Sequence, residues 1–268
     1  MPAIQLPRLK IQAAKLAVQF ADPLVFCRSL HNLLDFYAGR AYRPGQVGDP
    51  QSLMAAYHVP PPVLREVIKE LTPFMLSAPE AALALSDALW SEPYLEFRLL
   101  AASLLGLISP HPPDPVLLRV RAWAKPRTEA RLTRALINTG LSQIRREYQA
   151  RYLQLAETWL ASPELFSQHL GLQALVPLLD LQEFQDIPLM IKMLTPLIRI
   201  APFPLRPDLI DVIGGLAKRS PQETAYFLRQ NLAVKSDNLA TAWLIRQSLH
   251  SFPAEIQTSL RIALHENK

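Results

Sequence analysis

One cysteine, Cys27, stands in 268 residues. A single thiol excludes an intramolecular disulfide and any paired-cysteine metal or redox motif. Six histidines are scattered without a HExxH or other paired spacing, so no metal site is expected, and none of the turns that cradle a nucleotide cofactor is present. There is no G-x-S-x-G elbow, which leaves classical hydrolase chemistry without support. Glycine is scarce, eight against 25 prolines, and no Asn-Gly or Asp-Gly hairpin turn occurs. The longest charge-free apolar run, Leu99 to Ile108, is far short of the roughly 20 residues of a membrane span. Arg8, Lys10 and Lys15 interrupt the N-terminal region where a signal peptide would be apolar. The expectation is a soluble, cytoplasmic, monomeric protein without cofactor or metal.

Half of the residues are hydrophobic, enough for a large core. Many prolines and few glycines fit many short helices, because proline is tolerated in a helix's first turn and between helices. The most informative stretch is Ser86 to Pro110, where one apolar helix ends at Trp90. A break at Ser91-Glu92-Pro93 follows, then a second helix that is apolar on most of its circumference. The phrase recurs: Trp123 and Trp159 each close an apolar helix before a Pro-marked break, and the same pitch reaches Leu194 and Leu228. A period of about 33–36 residues of paired helices predicts an all-α, HEAT-like helical-repeat solenoid. Helices are expected at 4–20, 23–37, 62–76, 80–90, 94–108, 115–124, 127–140, 143–161, 163–179, 184–198, 206–218, 221–232, 237–250 and 253–265. The Gly- and Pro-bearing segment 38–50 reads as a linker, dividing an N-terminal cap (1–50) from the repeats (51–268).

The net charge of +5 is unevenly spread. Arg119, Arg121, Lys125, Arg127, Arg131, Arg134, Arg145, Arg146 and Arg151 face only Glu129 and Glu147 in the same stretch, making it more positive than the whole chain. Arginine suits bidentate phosphate contact, and Arg127, Arg131 and Arg134 would form one stripe on one helix. The stretch could track a phosphate backbone, dock an acidic protein partner, or be ordinary solvated surface. Trp90, Trp123, Trp159 and Trp243 could pack in the core or stack on bases, Trp123 being the best candidate for stacking because it sits among the cations. Arg98 is expected to pair with Glu96 or Asp87 and fix helix packing. Glu129 could be a catalytic carboxylate or simply the ion-pair partner of a neighbouring Arg.

Two phrases resemble the DNA alkylation repair family of HEAT-like glycosylases. The first is Tyr57-His-Val-Pro-Pro-Pro-Val-Leu-Arg-Glu-Val-Ile-Lys, the second Leu89-Trp-Ser-Glu-Pro-Tyr-Leu-Glu-Phe-Arg-Leu-Leu-Ala, and a weaker echo is Val212-Ile-Gly-Gly-Leu-Ala-Lys-Arg-Ser-Pro. The resemblance spans roughly residues 50–250. It implies a concave basic face holding duplex DNA, and an Asp flanked by Trp residues assisting loss of a cationic alkylated base. That catalytic phrase should fall near residues 125–137, where this chain has Lys-Pro-Arg-Thr-Glu-Ala-Arg and no Asp. The late helix, where the resemblance implies another Trp, has Gly214-Gly215. A leaving cationic base needs an anion and aromatic faces nearby; only Glu129 and Trp123 are close in sequence. The resemblance therefore implies duplex DNA as partner, with a protein-binding scaffold as the alternative.

Overall fold

The computed structural model describes residues 5–39, 54–108, 111–234 and 239–266. Among these there are fifteen α-helices and no strand: α1 (Leu6–Ala17), α2 (Pro23–Tyr37), α3 (Pro61–Ser77), α4 (Pro79–Ser91), α5 (Leu95–Leu105), α6 (Asp114–Trp123), α7 (Ala130–Ala135), α8 (Ser142–Glu147), α9 (Gln149–Leu160), α10 (Leu165–Leu179), α11 (Ile187–Ile200), α12 (Arg206–Arg219), α13 (Pro221–Ala233), α14 (Leu239–Ser248) and α15 (Ala254–Glu266). The protein is all-α. No helix among the described residues is long and apolar enough to cross a membrane.

Local chemistry explains many of the starts. Proline occupies the first turn of α2, α3, α4, α6, α11, α12 and α13, where its missing N–H costs nothing. The Asp22 carboxylate accepts the amides of Leu24 and Val25 at 3.1 Å each, and Asp186 accepts Leu189 N–H at 3.1 Å. Three prolines depart from the expected punctuating role and lie inside helices: Pro73, Pro177 and Pro196.

The chain divides into two compact units, Met1–Gln149 and Ala150–Lys268. In the first, α1 packs on α3, α2 on α4 and α3 on α5, while α4 and α5 form a hairpin. In the second, α10 packs on α12, α11 on α13, α12 on α14 and α13 on α15. Each helix thus meets the second one along the chain, as stacked helix pairs do. The expected cap–repeat boundary and most of the 38–50 linker fall outside the described residues, and α1 and α2 pack into the first unit. The predicted inner helix is α5, which buries Leu95, Phe97, Leu100, Leu104 and Leu105, each worth about 1.5–3 kcal/mol on burial.

Two expected helices are interrupted. The 127–140 segment begins only at Ala130 and widens into a π-turn over Leu136–Gly140. The 143–161 segment breaks at Tyr148, where α8 ends with a non-helical backbone (φ −130°, ψ 50°). Arg127 therefore lies in the turn before α7 and does not share a helix with Arg131 and Arg134. Cys27 is buried, and desolvation together with the charge of Glu92 pushes its thiol up to about 11.

Candidate nucleic-acid interface

The two sequence phrases meet in space. The Glu96 carboxylate, 5% exposed, accepts Tyr57 N–H at 3.1 Å and His58 N–H at 2.7 Å. Leu95 N–H donates to Ala55 O at 2.9 Å, and the rings of Tyr57 and Tyr94 stack with centroids 4.8 Å apart. His58 adopts a left-handed backbone with φ 53°, a conformation that L side chains rarely take. The carboxylate accepting its amide helps hold it there. Glu96→Ala leaves two amides without their acceptor, at about 3 kcal/mol. Urea titration should show the lower midpoint, with Glu96→Gln between Ala and wild type.

A second link ties in the N-terminal helices. His31 on α2 meets the Tyr57 hydroxyl through Nδ1 at 2.7 Å and Glu92 through Nε2 at 3.2 Å. Burial first, then the neighbouring Tyr94, Asp35 and Glu96, push the Tyr57 phenol up to about 12. A folded-state value above the unfolded value of about 10 contributes stability that is present below about pH 10 and lost as pH rises through about 12. Alkaline unfolding of Tyr57→Phe should lack that component, giving a flatter loss of stability above about pH 10. Neither Glu96 nor His31 was legible as a clamp, because their partners lie tens of residues away in sequence.

The basic stretch has a different internal economy from the one its composition implies. Arg119 is half-buried and donates to both Asp87 oxygens, at 2.8 and 2.6 Å, and to Pro115 O at 3.0 Å. It straps α6 to α4. Asp87 is thus taken by Arg119, whereas Arg98, expected to pair with Asp87 or Glu96, donates to Glu92 O at 3.0 Å. Glu96 serves backbone amides instead. Arg145 is half-buried and donates to Ile137 O and Asn138 O at the end of the π-turn.

Five cations remain exposed without a hydrogen bond or ion pair to any described residue: Arg121, Lys125, Arg127, Arg134 and Arg146. Arg131 is exposed on α7 one turn from Arg134, and Arg151 is exposed on α9 in the second unit, donating to Gln154. Thr128 closes the turn between α6 and α7: its hydroxyl donates to Trp123 O at 2.7 Å and accepts Lys125 N–H at 3.1 Å. The orientation of α7 is set by a backbone contact with α5, because a Cβ on Gly106 would stand 1.9 Å from Thr139 O. Ser142 Oγ also donates to Gly106 O at 3.0 Å.

Trp123 does not present a bare face. It stacks on Trp90 with centroids 4.5 Å apart and planes 4° from parallel, and the Arg98 guanidinium lies 5.5 Å from the Trp90 ring. Both indoles are half-buried. Trp159 is buried, and Trp243 lies under the Arg206 guanidinium at 4.5 Å. Glu129 is half-buried at the start of α7, and its side chain makes no capping bond.

A family model described as "DNA alkylation repair enzyme" matches residues 52–250. No match was found among curated proteins or among solved structures. The matched span contains the clamp formed by the two phrases and the whole basic stretch.

Proposed function

Because the chain belongs to the DNA alkylation repair enzyme family, which supports a DNA-repair-related function, we propose that it binds duplex DNA through the basic stretch of its first unit. The observation that carries this reading is the set of exposed cations with no protein partner, Arg121, Lys125, Arg127, Arg134 and Arg146. A surface whose arginines were meant only to be solvated would usually pair them with carboxylates on the same helix face; here the pairing is reserved for Arg119. Phosphate oxygens supply the missing acceptors and release counterions on binding.

Binding, rather than base excision, is what the residues support. The segment 125–137 has no Asp, and Trp123 spends a ring face on Trp90. Fluorescence anisotropy of labelled undamaged duplex across a salt titration tests the reading. Affinity that falls steeply with salt supports it. No binding at low salt would overturn it and leave the acidic-partner scaffold as the better account.

A further inference from the structure

A cleft of about 530 Å³ opens in the second unit along one face of α12, within the size range of small-ligand sites. Its floor is the sequence Asp211, Gly214, Gly215, Lys218, spaced i, i+3, i+4 and i+7 and therefore on one stripe. Asp180 at the end of α10 adds a second carboxylate, and Ser251 closes the far wall. The stripe is dipolar: a carboxylate stands at one end and an ammonium at the other, separated by about 10 Å of helix rise, with bare backbone between them. Asp180, Asp211 and Lys218 form no hydrogen bond or ion pair with any described residue.

The two glycines have different reasons. A Cβ on Gly215 would come within 2.7 Å of Leu179 Cδ1, so packing of α10 on α12 requires that glycine. A Cβ on Gly214 would meet only the Ser251 hydroxyl at 3.3 Å, so packing asks little of this position. Glycine inside a helix nevertheless costs about 0.5–1 kcal/mol relative to alanine. What Gly214 does achieve is an open floor against which a flat ring can lie.

We propose that this cleft binds an N-alkylated, cationic purine nucleotide. The positively charged ring lies over Gly214 between Asp180 and Asp211, and the phosphate is directed to Lys218. A ligand with a cation at one end and an anion at the other matches the stripe's polarity, whereas an ordinary nucleotide offers the carboxylates no charge. The choice of a nucleotide over another zwitterion rests on the DNA-repair reading; the cleft and its polarity do not.

Calorimetry on the full-length protein provides the test, with 7-methylguanosine 5′-monophosphate as probe and guanosine 5′-monophosphate as its neutral-ring reference. Both are measured at a mildly acidic pH where the methylated ring keeps its positive charge. The methylated nucleotide should bind at least tenfold more tightly. Asp180→Asn with Asp211→Asn should abolish that preference, and Lys218→Ala should weaken the nucleotide while sparing 7-methylguanosine. These side chains are exposed and unpaired, so the fold should survive, and unchanged thermal melting verifies it. Equal affinity for the two nucleotides, or binding of neither, overturns the proposal.

A duplex carrying one 7-methylguanine distinguishes the source of the ligand. Preference for that duplex over the unmodified one, lost in the double Asn variant, assigns the cleft to DNA. Preference only for the mononucleotide assigns it to free nucleotide. The double Asn variant should keep its affinity for unmodified duplex. Failure of the cleft with duplex binding intact removes only this inference, while loss of duplex binding altogether removes the DNA reading.

Discussion

Affinity for undamaged duplex is expected to fall about a hundredfold between 50 and 200 mM salt if four phosphates are neutralised, since the logarithmic slope is about −0.9 per phosphate. Four is a restrained choice among Arg121, Lys125, Arg127, Arg134 and Arg146, together with Arg131 beside them. Changing Arg121, Arg127 and Arg134 all to Ala should make the slope shallower by about 2.7. The decisive comparison is Arg119→Ala. Arg119 carries the same charge in the same stretch, but its guanidinium is held by Asp87 and Pro115. Its loss should lower thermal stability and leave the salt slope almost unchanged. If Arg119→Ala alters the slope as much as Arg127→Ala, the division between strapping and phosphate-facing arginines is wrong.

Gly106→Ala should be among the most damaging single substitutions in the chain, at about 3 kcal/mol. The new methyl would stand 1.9 Å from Thr139 O and 2.9 Å from the Thr139 carbonyl carbon. Both atoms are backbone, so no side chain can turn aside, and α5 and the π-turn must separate. Overpacking of this kind costs about 1–3 kcal/mol, and the Ser142–Gly106 hydrogen bond adds about 1 kcal/mol if it is lost. Better helix propensity at position 106 returns less than about 1 kcal/mol. Gly140→Ala is the graded control, because its methyl would lie 3.3 Å from Ala102 O, and about 1 kcal/mol is expected there. Differential scanning calorimetry on the three proteins should rank them wild type, Gly140→Ala, Gly106→Ala. Because the same contact orients α7, the Gly106 variant should also lose duplex affinity through Arg131 and Arg134. Equal melting temperatures for wild type and Gly106→Ala would refute the close approach.

Much of this protein was determined by its sequence alone. Apolar spacing with proline in first turns makes helices whatever their neighbours, so α2, α3, α4 and α6 lie within a residue or two of where the pattern puts them. Charge is additive along a chain, which is why the basic stretch could be read before any coordinate was known. The phrases around Tyr57 and Glu96 were legible as a family resemblance, now matched over residues 52–250. What sequence could not decide is which charges are spent. Asp87 chose Arg119, 32 residues away, over the nearer Arg98. Glu96 chose two amides 38 and 39 residues upstream. Trp123 gave a face to Trp90. The interruption of the 127–140 helix and the cleft over Gly214 are likewise tertiary, because each depends on another helix approaching the backbone. Helix formation is governed by residues within one or two turns. The pairing of a side chain is governed by whichever partner the packing of distant helices brings within about 3 Å, and only the folded chain fixes that distance.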